Sequence, residues 1–217
     1  MDPGRARFAD SSHEFARYLH ELKKRGSNLL VTGNVPDDVT VRATQTLFGQ
    51  GSRRYRVLAL LDATNRIPES LSIDEDHLWV VNRAGEERSI PASASDTVSV
   101  DDPGDLDSVR REIATAAEFY DDRFGELGPS ELRVGVDLGA EEDPESIERF
   151  LDETAEIVVE HRGMAHYHLP KPDDDPLVDT LSPLFDARIE LRQEPGQPPE
   201  QRWHVPAFGK TTIWVRL

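Results

Sequence analysis

The chain contains no cysteine, which removes disulfides, thiolate metal sites and cysteine nucleophiles together. Lysine is scarce: Lys23, Lys24, Lys171 and Lys210 are the whole set, and the other strong bases are arginines. No apolar run is long enough to span a bilayer, and no basic, apolar signal opens the chain. The expectation is therefore a soluble, cytoplasmic protein with no membrane partner. A basic stripe with interleaved aromatics is also missing, so nucleic acid is not an expected partner. There is no Gly-x-Ser-x-Gly elbow and no Gly-x-Gly-x-x-Gly after a strand, which sets aside an α/β-hydrolase nucleophile and a dinucleotide fingerprint.

Acid is abundant. Asp+Glu 42 against Lys+Arg 25 gives a formal net charge of -17 over 217 residues. In dilute salt such a chain repels itself. At ~1 M salt the Debye length falls to roughly 3 Å and the repulsion is screened. An acidic, arginine-over-lysine composition thus suits a salt-loaded cytoplasm, and acidity describes the solvent more than the partner. The length suits a single domain over residues 11–217, with residues 1–10 expected as a flexible N-terminus.

The stretch from Asn28 to Thr40 organises the rest. An apolar run of strand type stops at Gly33, passes a short polar turn, and enters a helical pattern at Asp37. Strand, glycine, turn and helix is the layout of a phosphate-binding P-loop, Gly-x-x-x-x-Gly-Lys-[Ser/Thr]. Laid from Gly33, the motif keeps its first glycine and its last hydroxyl, Thr40, but Asp38 replaces the second glycine and Val39 the lysine. Glycine lets backbone N–H groups close on phosphate, and lysine adds a cation. Asp37 and Asp38 instead put carboxylates at the helix start, where they suit the dipole and are expected to cap the first turn.

Around this stretch, Ser11-Ser12-His13-Glu14 reads as a capping box opening a helix to Arg25. Strands are expected at 28–32, at Val57–Leu61 ending in Asp62, at Leu78–Val81, at Leu132–Leu138 with Asp137 near its end, and at Met164–Leu169. Helices are expected from Asp37 to Phe48, from Leu106 to Phe124, and from Pro144 through Val158, with a short one after Asp173 interrupted by Pro183. Residues 84–105 read as loop, with a short strand near Val98–Val100. Ala187–Gln193, Gln201–Val205 and Thr211–Leu217 alternate as antiparallel strands do. The fold class is α/β: a mostly parallel sheet with helices on both faces and C-terminal antiparallel strands.

This order of elements, with Thr32-Gly33, Thr40 and Asp137, resembles the RecA/KaiC-like ATPase core. More narrowly it is similar to a group of haloarchaeal proteins in which that core has lost its phosphate loop. The resemblance implies a three-layer core over residues 11–217. It also makes Gly33, Thr40, Asp62 and Asp137 the remnants of a nucleotide site, with Thr40 and Asp137 near magnesium. Because the lysine and second glycine are gone, the expected function is a non-catalytic module acting by protein association or self-association in regulation or signalling. No catalytic residue, metal or cofactor is expected. The alternative is a divergent Mg-nucleotide sensor or NTPase using Thr40, Asp62 and Asp137.

Two further patterns have a structural explanation beside a functional one. Gly209-Lys210-Thr211 reads GKT, but His204 stands where the motif wants a glycine and a strand follows, so a hairpin turn is expected. His161, His166 and His168 are dense enough to suggest a metal, yet a polar strand end and a helix-terminal histidine explain them as well.

Overall fold

A computed structural model describes residues 3–51, 53–61, 77–83, 105–138 and 144–217, with backbone alone for residues 3–12. Asp62 and the segment Val98–Val100 lie outside the described residues. The strand β1 (Ser27–Thr32) is buried along its whole length. It pairs in parallel with β5 (Met164–Leu169) on one side and β6 (Ala187–Arg192) on the other. Beyond β5 come β4 (Leu132–Asp137), β2 (Tyr55–Leu60) and β3 (Leu78–Asn82), all parallel. Beyond β6 the sheet turns antiparallel with β7 (Glu200–Val205), which is edged by two short pieces, β8 (Lys210–Thr211) and β9 (Val215–Arg216).

Alternation along the strands divides the core in two. Leu30, Val57, Val134 and Tyr167 face α3 (Leu106–Phe124), α4 (Pro144–Glu160) and α5 (Pro176–Leu181). Leu29, Val31, Ala187 and Ile189 face the opposite way, against α1 (Pro3–Arg25) and α2 (Asp37–Phe48). Both faces of the parallel strands are therefore covered, which is why these strands read as unbroken apolar runs. The fold is α/β, a mostly parallel mixed sheet between helices, with antiparallel strands at its C-terminal end.

Three expectations change. The helix α1 starts at Pro3 and runs through Ser11-Ser12, so the expected capping box lies inside a helix. Pro3 stands at the first helical position, where its missing N–H costs nothing. The strand β6 runs parallel to β1 and antiparallel only to β7. The crossover through α5 brings the chain back to the β1 edge in the same direction, as a parallel pair requires. The final segment is split into β8 and β9 instead of forming one strand. Elsewhere α2, α3 and β5 have the expected bounds, and α5 ends at Leu181, where a 3-10 turn, Ser182–Leu184, carries Pro183.

One glycine is fixed by packing. A Cβ on Gly135 of β4 would lie 2.8 Å from Phe48 Cζ and 2.9 Å from His166 Nε2. Those two rings meet edge to face at 5.0 Å beneath α2. We predict that Gly135→Ala destabilises the protein by ~2 kcal/mol or more through overpacking. A denaturant midpoint within ~0.5 kcal/mol of wild type would contradict this packing.

Candidate functional site

The carboxyl ends of β1 and β5 are adjacent, and the helices that follow them, α2 and α5, leave for opposite faces. In open α/β sheets that divergence makes the crevice where ligands bind. Here the crevice is stitched. The Gly33 N–H donates to the Lys171 carbonyl at 2.9 Å, joining the loop after β1 to the loop after β5. Gly33 has φ 136, and a Cβ there would sit 2.4 Å from the Leu191 carbonyl oxygen. The glycine expected to cradle phosphate is thus explained by close backbone approach, and its N–H is already used.

The rest of the loop departs further from a phosphate site. Val39, in the position of the lysine, is 1% exposed and packs with Val31 and Ala43 in the core beneath α2. Pro36 is the N-cap of α2 and makes no side-chain cap. The expected capping by Asp37 or Asp38 therefore does not occur; both are exposed in the first turn. There they suit the helix dipole without filling a cap. Thr40 is half-buried on α2. Asp137 ends β4, in register with His168, so β5 separates it from Gly33 along the same edge of the sheet. Of the four expected residues, Gly33, Thr40 and Asp137 share this edge, and Asp62 lies outside the described residues.

The histidines do not converge. His161 Nδ1 lies 2.6 Å from Asp121 Oδ2, tying the end of α4 to α3 on one face of the sheet. His166 and His168 lie under α2 on the other, both buried. They are core residues, not the polar strand end expected. His168 Nε2 is 3.0 Å from Thr44 Oγ1, while His166 Nε2 has no hydrogen-bond partner among the described residues. Burial drives both toward the neutral form: it pushes His168 down to about 4. His166 falls well below its ordinary value through burial, with repulsion from His168 and Arg133 adding to it. The Gly209-Lys210-Thr211 segment is a hairpin turn: Gly209 is left-handed and links β7 to β8. Lys210 Nζ reaches Glu14 at 3.1 Å.

A different group escaped the reading of the sequence. On the face of β6 opposite Ala187, Ile189 and Leu191 stand Arg188, Glu190 and Arg192, cross-strand from His204, Arg202 and Glu200 of β7. Glu190 Oε2 accepts from Arg202 Nε at 2.5 Å and lies 2.7 Å from His204 Nε2. Asp173, in the loop before α5, pairs with Arg188, which also donates to Thr32 Oγ1 at 3.2 Å. Thr211 Oγ1 is 3.2 Å from His204 Nδ1. Trp214 lies between two guanidiniums, with Arg192 at 4.1 Å and Arg202 at 4.6 Å from its ring centre. Ligand atoms of Asp173, Glu190 and His204 all fall within 4.8 Å of one another, the one such group among the described residues. The legible signal was a charge at every second position on two successive strands, which places them on one face.

A family model matches residues 26–191, described as a family of unknown function (DUF7504). The chain belongs to that family. The DUF7504 match spans β1 to β6 and so takes in Gly33, Thr40, Asp137, Asp173 and Glu190, while β7 with His204 follows it. No curated protein matches the chain.

The buried histidines generate a pH dependence. Both have folded-state values below the unfolded one near 6.5, so the unfolded chain binds more protons in that window. Stability from this source is complete above pH ~6.5 and falls as the pH drops toward about 4. We expect a loss of up to ~1.4 kcal/mol per pH unit for each histidine below 6.5. Urea unfolding at constant KCl between pH 7 and 5 measures the slope, and His168→Gln should flatten it. An unchanged slope in that variant would show that His168 titrates freely in the folded protein.

Proposed function

We propose that this chain is a RecA/KaiC-like module that no longer handles nucleotide and works by associating with itself or with a protein partner. Its setting in this reading is regulation or signalling in the salt-loaded cytoplasm of a haloarchaeon. The observation that carries the proposal is the inward turn of Val39, which gives the lysine position to the core. A lysine there supplies the cation that stabilises transferring phosphate. The Gly33 N–H, engaged by Lys171, supports the same reading. So do the exposed carboxylates of Asp37 and Asp38 at the helix start, since they repel polyphosphate where a helix N-terminus would attract it. The parallel order of β2, β4, β5, β1 and β6 supplies the scaffold that a nucleotide-binding core requires.

Thermal unfolding in multimolar KCl, with and without Mg-ATP, tests this. A ligand at 100 times its dissociation constant adds about 2.7 kcal/mol to stability. We expect no shift with Mg-ATP and a mass that rises with protein concentration, alone or with a partner, by light scattering. A shift that disappears in Asp137→Asn would establish the divergent Mg-nucleotide site instead. Val39→Lys should restore no ATP response and should cost ~2–4 kcal/mol, because it buries a charge beneath α2. A stable Val39→Lys protein that gains an Mg-ATP shift would overturn the proposal.

A further inference from the structure

We propose that Asp173, Glu190 and His204 form a site for a divalent transition-metal ion, separate from the nucleotide question. Three elements converge to make it: the loop before α5, the strand β6 and the strand β7. The ligand atoms lie within 4.8 Å of one another, close enough to surround one ion with small side-chain adjustments. One imidazole nitrogen and two carboxylate oxygens suit Zn²⁺, Co²⁺ or Ni²⁺ better than Mg²⁺ or Ca²⁺, which favour all-oxygen shells. Three protein ligands leave coordination positions open to water.

The supporting shell is already present. Thr211 Oγ1, 3.2 Å from Nδ1, fixes the His204 ring and leaves Nε2 facing Glu190. Metal-bound histidines are held in this way through their second nitrogen. Without an ion, Nε2–H donates to Glu190 Oε2 at 2.7 Å and Nδ1 accepts from the Thr211 hydroxyl. An ion takes the place of that proton: in the other tautomer Nδ1–H donates to Thr211 Oγ1 and the Nε2 lone pair is free to bind it. Glu190 is 8% exposed, so its carboxylate depends on positive neighbours.

Two guanidiniums compete for the same carboxylates, and each has somewhere else to rest. Arg202 stacks on Trp214 at 4.6 Å, and Arg188 donates to Thr32. Ion binding therefore shifts these arginines onto partners they already hold. The bound cluster would carry two carboxylates, two guanidiniums and a doubly charged ion, +2 in sum if His204 is neutral. The chain's net charge of -17 favours accumulating that positive charge.

The test is thermal unfolding of the full chain in KCl with Zn²⁺, Co²⁺ or Mg²⁺ as the added ion. Zn²⁺ at about 100 times its dissociation constant should raise the midpoint by roughly 5–10 °C, with no response to Mg²⁺. His204→Ala and Asp173→Asn, both at partly exposed positions, should each weaken Zn²⁺ binding by roughly tenfold or more in calorimetric titration. If either variant fails to fold, the visible absorption of Co²⁺ on the wild-type protein decides, since imidazole ligation gives a band that hexa-aqua Co²⁺ lacks. Silence toward Zn²⁺ and Co²⁺ up to ~1 mM would overturn the site. So would undiminished binding in both folded variants, or an equal response to Mg²⁺.

Discussion

The hydrogen bond from the Gly33 N–H to the Lys171 carbonyl is the constraint on which the carboxyl edge of this sheet depends. It joins the two loops whose helices leave for opposite faces, at the point where a parallel sheet ordinarily opens toward a ligand. The approach of Leu191 behind Gly33 closes the third side and admits only glycine. A phosphate cradle needs the same N–H groups unengaged and converging on an anion. Here the Gly33 N–H is spent on Lys171, hydrocarbon is turned inward at Val39 and acid outward at Asp37 and Asp38.

The helix α2 completes this arrangement in a way that the motif comparison does not suggest. Its first turn carries two carboxylates and its last turn is met by arginine, each charge matching the dipole end it faces. Arg133 donates to the Leu47 carbonyl at 3.2 Å and to Ser130 O at 2.9 Å. Burial, with Arg54 and Arg56 adding repulsion, draws its guanidinium down to about 10. Along the same underside Thr44, His166 and His168 form a polar seam, and Phe48 and Gly135 shape the space for the rings.

How much of this was legible follows from the physics of each element. The helices α2 and α3 and the strand β5 were read with their observed bounds, because period and punctuating glycine or proline agree there. The direction of β6 was not legible: alternation shows that a strand has one polar face, and not which neighbour it joins. The early start of α1 was hidden by a capping pattern that a longer helix simply runs through. At the site, the motif register identified what had been lost at Asp38 and Val39 without showing where Val39 went. Alternating charge put Glu190 and His204 each on the polar face of its strand, but the strand pairing that joins them and the returning loop that adds Asp173 were not readable. Local spacing gives the face of a strand and not its neighbour.

The division of the last segment into β8 and β9 has a consequence for how the molecule lives among its neighbours. Each piece covers only one end of β7, and Ile213 between them stands 68% exposed. A rim broken in this way offers no straight row of amides onto which another chain could zip. At this end of the sheet, contact with other molecules is directed toward side-chain surfaces and away from the backbone.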